Sequence, residues 1–204
     1  MDDIVSYIFT NSNMDGNGVF IGDKFLTVAH VVVHSNNFDA KGGEYLTSSA
    51  LCYRYTNSWL KKLLCRLSFF RCGWNYDDFA IFESKSSFSS LTLSTELPSV
   101  GDNLDTYSIK EKFSANSKNI FSTLNEEKYA IHIDKAKVLF IRGNFIFCEM
   151  NGMLEEGRSG CPLIKDKKVY GILRGGDDKK ICWFQSSVSI IKSQQLNCSP
   201  RSKC

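Results

Sequence analysis

No stretch of this sequence reaches the ~18 consecutive apolar residues that a membrane-spanning helix needs, so a spanning anchor is not expected. Met1-Asp2-Asp3-Ile4 begins acidic and leads into no long apolar run. A secretory leader is therefore not expected, and a cytoplasmic setting is the default. An excess of charge is missing too: 25 Lys and Arg against 22 Asp and Glu leave +3. Nucleic-acid binding needs a concentrated basic face, which so small a balance does not supply. No Cys-x-x-Cys pair occurs, so no structural zinc is expected. No metal or cofactor enters the reading.

What the chain does have is ordinary globular material. Its 204 residues are 43% hydrophobic and 23% charged, enough to bury a core without staples. Eight cysteines are present: Cys52, Cys65, Cys72, Cys148, Cys161, Cys182, Cys198 and Cys204. An even count invites disulfides. Yet Phe147-Cys148 and Ile181-Cys182-Trp183 lie in apolar runs, where cysteine acts as a small buried hydrophobe. Thiols in a reducing compartment are the preferred reading.

Short apolar runs separated by turn signals dominate. Gly18-Val19-Phe20-Ile21, Gly22-Asp23 and Lys24-Phe25-Leu26-Thr27-Val28 read as a hairpin. Val138 to Ile141, Arg142-Gly143-Asn144 and Phe145 to Cys148 read as another. Phe79-Ala80-Ile81-Phe82 and Lys168 to Leu173 are further strands, and the spacing suggests a sandwich or barrel. The Ser-rich stretch from Ser84 to Ser94, followed by Leu97-Pro98-Ser99-Val100-Gly101-Asp102, suggests a crossing between halves 1–97 and 98–204. Trp59 to Arg71 breaks the pattern, with Leu60, Leu63, Leu64 and Leu67 at helical spacing. A helix or distorted strand packed over the first half is favoured there. A cationic surface for a membrane, through Lys61, Lys62 and Arg66, is the less favoured alternative.

Three segments could carry chemistry: Leu26-Thr27-Val28-Ala29-His30, Tyr76-Asp77-Asp78-Phe79-Ala80, and Gly157-Arg158-Ser159-Gly160-Cys161-Pro162. A histidine at a strand end, an aspartate before a strand and a Gly-x-Ser-Gly turn are each commonly structural. Together, in this order, they resemble the His, Asp and Ser motifs of the trypsin-like serine peptidases. The resemblance runs from about Gly16 to Ile191 and is nearer the intracellular bacterial and viral members than the secreted digestive ones. It implies an all-β fold: two six-stranded antiparallel Greek-key barrels with the active site between them, and a short C-terminal helix.

The resemblance also implies a triad of His30 as base, Asp78 as its orienting carboxylate and Ser159 as nucleophile. Such a hydroxyl needs an adjacent base to attack at neutral pH. Asp77 is the rival to Asp78, which is preferred for its register with Phe79-Ala80. The N–H groups of Gly157 and Ser159 would form the oxyanion hole, each donor commonly contributing ~3–4 kcal/mol. Met153, Leu154, Leu173, Arg174, Gly175 and Gly176 would line the substrate site. With no carboxylate at Met153, cleavage after uncharged residues is expected, and poor cleavage after Lys or Arg. Arg174 could reach a neighbouring subsite and favour an acidic side chain, and a register shift would bring Glu155 or Glu156 to the pocket.

Several positions depart from the family pattern. Val31 follows His30, Arg158 precedes the nucleophile in place of Asp or Asn, and Cys161 stands where a smaller residue is commoner. There is no Ile-Val-Gly-Gly start, so insertion of a freed N-terminus beside Arg158 is not expected. The implied activity is a serine endopeptidase acting on proteins or peptides. A catalytically silent, partner-binding domain is the alternative, and activation by a protein partner is left open. An α/β-hydrolase is disfavoured because that fold takes its triad in the order Ser, acid, His.

Overall fold

Tight turns between apolar strands set the architecture. The computed structural model describes residues 5–10, 13–32, 39–40, 44–45, 78–83, 89–111, 129–150, 157–177 and 180–198. β1 (Val5–Thr10) pairs with β2 (Asn13–Ile21), which turns back into β3 (Lys24–Thr27). Gly22 sits in that turn at φ 57°, a left-handed conformation that glycine adopts without strain. After β3 come a one-turn helix α1 (Ala29–Val32), then β4 (Asp39–Ala40), β5 (Glu44–Tyr45) and β6 (Ala80–Glu83). These make a six-stranded antiparallel sheet in the order β5-β4-β1-β2-β3-β6.

The second sheet holds β7 (Thr92–Leu93), β8 (Asn103–Glu111), β9 (Tyr129–Arg142), β10 (Phe145–Met150), β11 (Pro162–Lys165), β12 (Lys168–Gly176) and β13 (Ile181–Ser186). Its order is β11-β8-β9-β10-β13-β12-β7, and a further β11–β12 pairing closes six of the strands into a barrel. Asp166 and Lys167, at φ 51° and 61°, make the two-residue β11–β12 turn, whose twist suits a hairpin. β7 is an addition to the expected six: it runs parallel to β12, so the chain has joined the second sheet by Thr92. Helix α2 (Ser187–Cys198) follows. The architecture is the expected all-β pair of sheets with a C-terminal helix.

Two apolar clusters fill the interior. Val19, Phe25, Leu26, Phe79 and Phe82 pack together and continue into Val169, Ile172 and Ile190 of the second half. Leu104, Val138, Ile146, Leu163 and Phe184 form the second cluster, with Cys148, Cys161 and Cys182 among them. All three cysteines are buried thiols, as the apolar setting of Cys148 and Cys182 suggested. Among the described residues, no helix is long and apolar enough to cross a membrane. Trp59 to Arg71, Asp77, Met153, Leu154, Glu155 and Glu156 lie outside the described residues.

Candidate active site

Buried neighbours fix each polar group at the seam between the sheets. His30 stands on α1, directly after Val28 and Ala29, which are fully buried and hold the turn against the core. Asp78 precedes the buried Phe79-Ala80-Ile81-Phe82. Its backbone N–H donates to Gln185 Oε1 at 2.6 Å, which ties the start of β6 to β13 of the second sheet. The His30 N–H donates to Asp78 Oδ1 at 3.0 Å, and His30 Nδ1 meets Asp78 Oδ2 at 2.7 Å. His30 Nε2 lies 3.0 Å from Ser159 Oγ.

Ser159 is presented by a tight turn. The N–H of Cys161 returns to the carbonyl of Arg158 at 3.1 Å, and Gly160 has φ 89°. That is the pattern of a type II turn, whose third position calls for glycine. The turn is tied on both sides. Gly160 N–H donates to the Leu173 carbonyl and Leu173 N–H to the Cys161 carbonyl, both at 2.7 Å. From the first sheet, Asn17 N–H donates to the Ser159 carbonyl at 2.7 Å. The Asn17 side chain donates to the Gly157 carbonyl at 2.7 Å and accepts from Ile109 N–H at 2.8 Å. Among the described residues, no carbonyl or side chain takes the N–H of Gly157 or Ser159.

Charge at the site is paired. Burial alone would push the Asp78 carboxyl up. Its hydrogen bonds to His30, the charge of His30 and the Arg174 guanidinium outweigh burial and hold it below the usual carboxylate value of 3.8. Arg158 is buried beside Ser159, and its Nη2 donates to Asp134 Oδ2 of β9 at 2.6 Å. The position that departs from the family pattern thus has its own partner within the chain.

The residues proposed to line a substrate site separate. Leu173 is 2% exposed and packs in the second core rather than facing a cleft. Arg174 turns its guanidinium onto Asp78, with Nε 3.2 Å from Oδ2, instead of reaching a subsite. Gly175 is covered by Trp183, whose ring a Cβ at that position would meet at 3.0 Å. Gly176 is exposed at the end of β12. Asn17, Gln185 and Asp134 are supports that sequence reading missed. Asn17 carried the only signal, as a polar residue set among the buried positions of a strand. A cavity of about 320 Å³ lies elsewhere, lined by Ile21, Asp23, Ile81 and Leu91, and holds none of the three site residues.

No family model and no curated protein matches the sequence. Solved structures do match. The protease Rv3671c of M. tuberculosis, in an inactive form, is 18% identical at a TM-score of 0.61, over 96% of this chain and 89% of that one. Neuropsin, a serine protease of mouse brain, is 14% identical at 0.63, over 96% and 94%. An inactivated protease paralogue of the scabies mite is 12% identical at 0.61, over 96% and 94%. Identities this low establish the fold, which is chymotrypsin-like.

Proposed function

We propose that this chymotrypsin-fold chain is a serine endopeptidase, with His30 as general base, Asp78 as its orienting carboxylate and Ser159 as nucleophile. One observation carries the reading: an unbroken line of contacts from Asp78 Oδ2 to His30 Nδ1 at 2.7 Å, and from His30 Nε2 to Ser159 Oγ at 3.0 Å. Each link is within the reach that proton transfer requires. The Asp78 contact favours the tautomer with its proton on Nδ1, leaving Nε2 to accept from the serine.

In the proposed reaction, Ser159 Oγ attacks the scissile carbonyl while His30 Nε2 takes the hydroxyl proton. The carbonyl oxygen, now negative, is met by the N–H groups of Gly157 and Ser159. His30 then returns the proton to the leaving amine, and an acyl-enzyme remains on Ser159. Water, deprotonated by His30, releases the acid. The buried thiols Cys148, Cys161 and Cys182 support a reducing, cytoplasmic setting. Cleavage after uncharged residues remains the proposed preference, because Met153 brings no carboxylate.

The test is labelling by a fluorophosphonate probe together with peptide-library cleavage, run beside Ser159→Ala. The peptidase reading expects label and cleavage in the parent protein and neither in the variant. A parent that takes no label and cuts nothing would favour a silent binding domain.

A further inference from the structure

We infer that Arg174 is a positioning residue for the Asp78–His30 pair: its guanidinium completes the donor set around the Asp78 carboxylate and keeps a fixed cation beside the proton-carrying groups. This rests on the peptidase reading, yet it makes a claim about the carboxylate that can be measured without turnover.

The backbone explains how Arg174 gets there. Pairing between β12 and β13 passes from Leu173↔Phe184 directly to Gly175↔Trp183, so Arg174 is the extra, unopposed residue of a β-bulge. A bulge re-aims the side chain it carries. The guanidinium carbon lies 5.2 Å from the centroid of the Phe145 ring, within cation–π range. Nε donates to Asp78 Oδ2 at 3.2 Å, across an ion pair whose side chains are 17% and 5% exposed.

The carboxylate then has both oxygens occupied. Oδ1 accepts from the His30 N–H, and Oδ2 accepts from His30 Nδ1 and Arg174 Nε. Rotation of the carboxylate would break the imidazole and guanidinium contacts together, so Arg174 holds the oxygen that orients the base. The charge acts in a second way, because a cation on the same oxygen favours the ionised carboxylate. Among the described residues, His30 and Arg174 are the charged groups that bear on the Asp78 carboxyl. The Asp78 carboxyl therefore titrates lower with Arg174 than without it.

The test follows kcat and KM from about pH 4.5 to 9 in the parent, Arg174→Gln and Arg174→Lys, alongside the carbon-13 titration of the Asp78 carboxyl, assigned through Asp78→Asn. In Arg174→Gln, kcat falls about tenfold with KM nearly constant. The Asp78 titration moves up. Arg174→Lys restores it. A rise in KM with kcat unchanged would make Arg174 a substrate contact and overturn the inference. So would an Asp78 titration that Arg174→Gln leaves in place. If the parent neither cuts peptides nor takes the fluorophosphonate, the peptidase reading fails, while the Asp78 titration still decides the role of Arg174.

Discussion

Followed from β1, the first sheet runs β1-β2-β3-β6 with β4 and β5 on its other side; followed from β8, the second runs β8-β9-β10-β13-β12-β11 before closing on itself. In both, the third strand is followed by the sixth, and the fourth lies beside the first. This Greek-key order is built twice from unrelated residues, so strand pairing rather than side-chain identity repeats. The contents differ. The first sheet offers His30 from the one-turn helix after β3 and Asp78 from just before β6, each beside buried residues. The second offers Ser159 from a turn that depends on β12 behind it and on Asn17 across the seam. Asp78 is tied to the second sheet through Gln185 and Arg174, and the Ser159 turn to the first through Asn17.

The largest effect should come from Ser159→Ala. It removes one Oγ, whose described contact is His30. Activity should fall by about 10⁴-fold or more while the melting temperature holds, measured by peptide cleavage and thermal unfolding in parallel. An inactive variant that also melts early would mean the hydroxyl supports the fold.

Gly160→Ala tests the seam itself. A Cβ there would lie 1.8 Å from the Asn17 carbonyl oxygen, and the residue has φ 89°. Gly101 has a similar φ of 91° but open space around it. Gly101→Ala should cost the left-handed strain alone, about 1 kcal/mol. Gly160→Ala should cost more than about 4 kcal/mol or abolish folding. Equal losses in urea titrations would show that the close approach of the two barrels is easily relieved.

Next in size is the alkaline response, which belongs to the second barrel. Burial pushes the Cys148 thiol up to about 12 from 9.0, and burial also raises Cys182, opposite it on β13. The folded state keeps these protons when the unfolded chain has lost them. Their contribution is thus complete below about pH 9 and declines as pH rises toward 12, by up to about 4 kcal/mol for Cys148. Cys148→Ala should flatten that decline in denaturation curves taken across this range.

The acid response carried by Asp78 should be the smallest. Asp78 is held below 3.8, so its contribution is complete above that value and is lost as pH falls through the folded one. Asp78→Asn should lower stability at neutral pH and make it less steep below pH 4. An unchanged acid slope would assign acid unfolding to other carboxylates.

Much of this was legible in the sequence, for identifiable reasons. The hairpins announced themselves because turn residues such as Gly22 and Gly143 interrupt short apolar runs. His30, Asp78 and Ser159 were legible as an ordered set, though no residue alone was. The directions of side chains were not. Arg174 was expected at a substrate subsite from the resemblance alone, and the bulge that re-aims it depends on how β13 pairs with it. Leu173 was assigned to the substrate pocket on the same resemblance and lies in the core. Asn17, Gln185 and Asp134 support the site across roughly a hundred residues or more of chain, apart from the shorter reach of Asp134 to Arg158. No local pattern encodes such pairs.

The ties around Ser159 also bear on how the chain is made. A growing polypeptide would contain His30, Asp78 and Ser159 before it contained Leu173, Arg174 or Gln185, which brace the turn and the carboxylate. Strands β12 and β13 are also the last to complete the second barrel. Because domains acquire their packing as units, a ribosome-bound fragment would hold the reactive side chains without the frame that aligns them. On the proposed peptidase reading, synthesis itself would act as a timer, with the site aligned only after β12 and β13 had emerged.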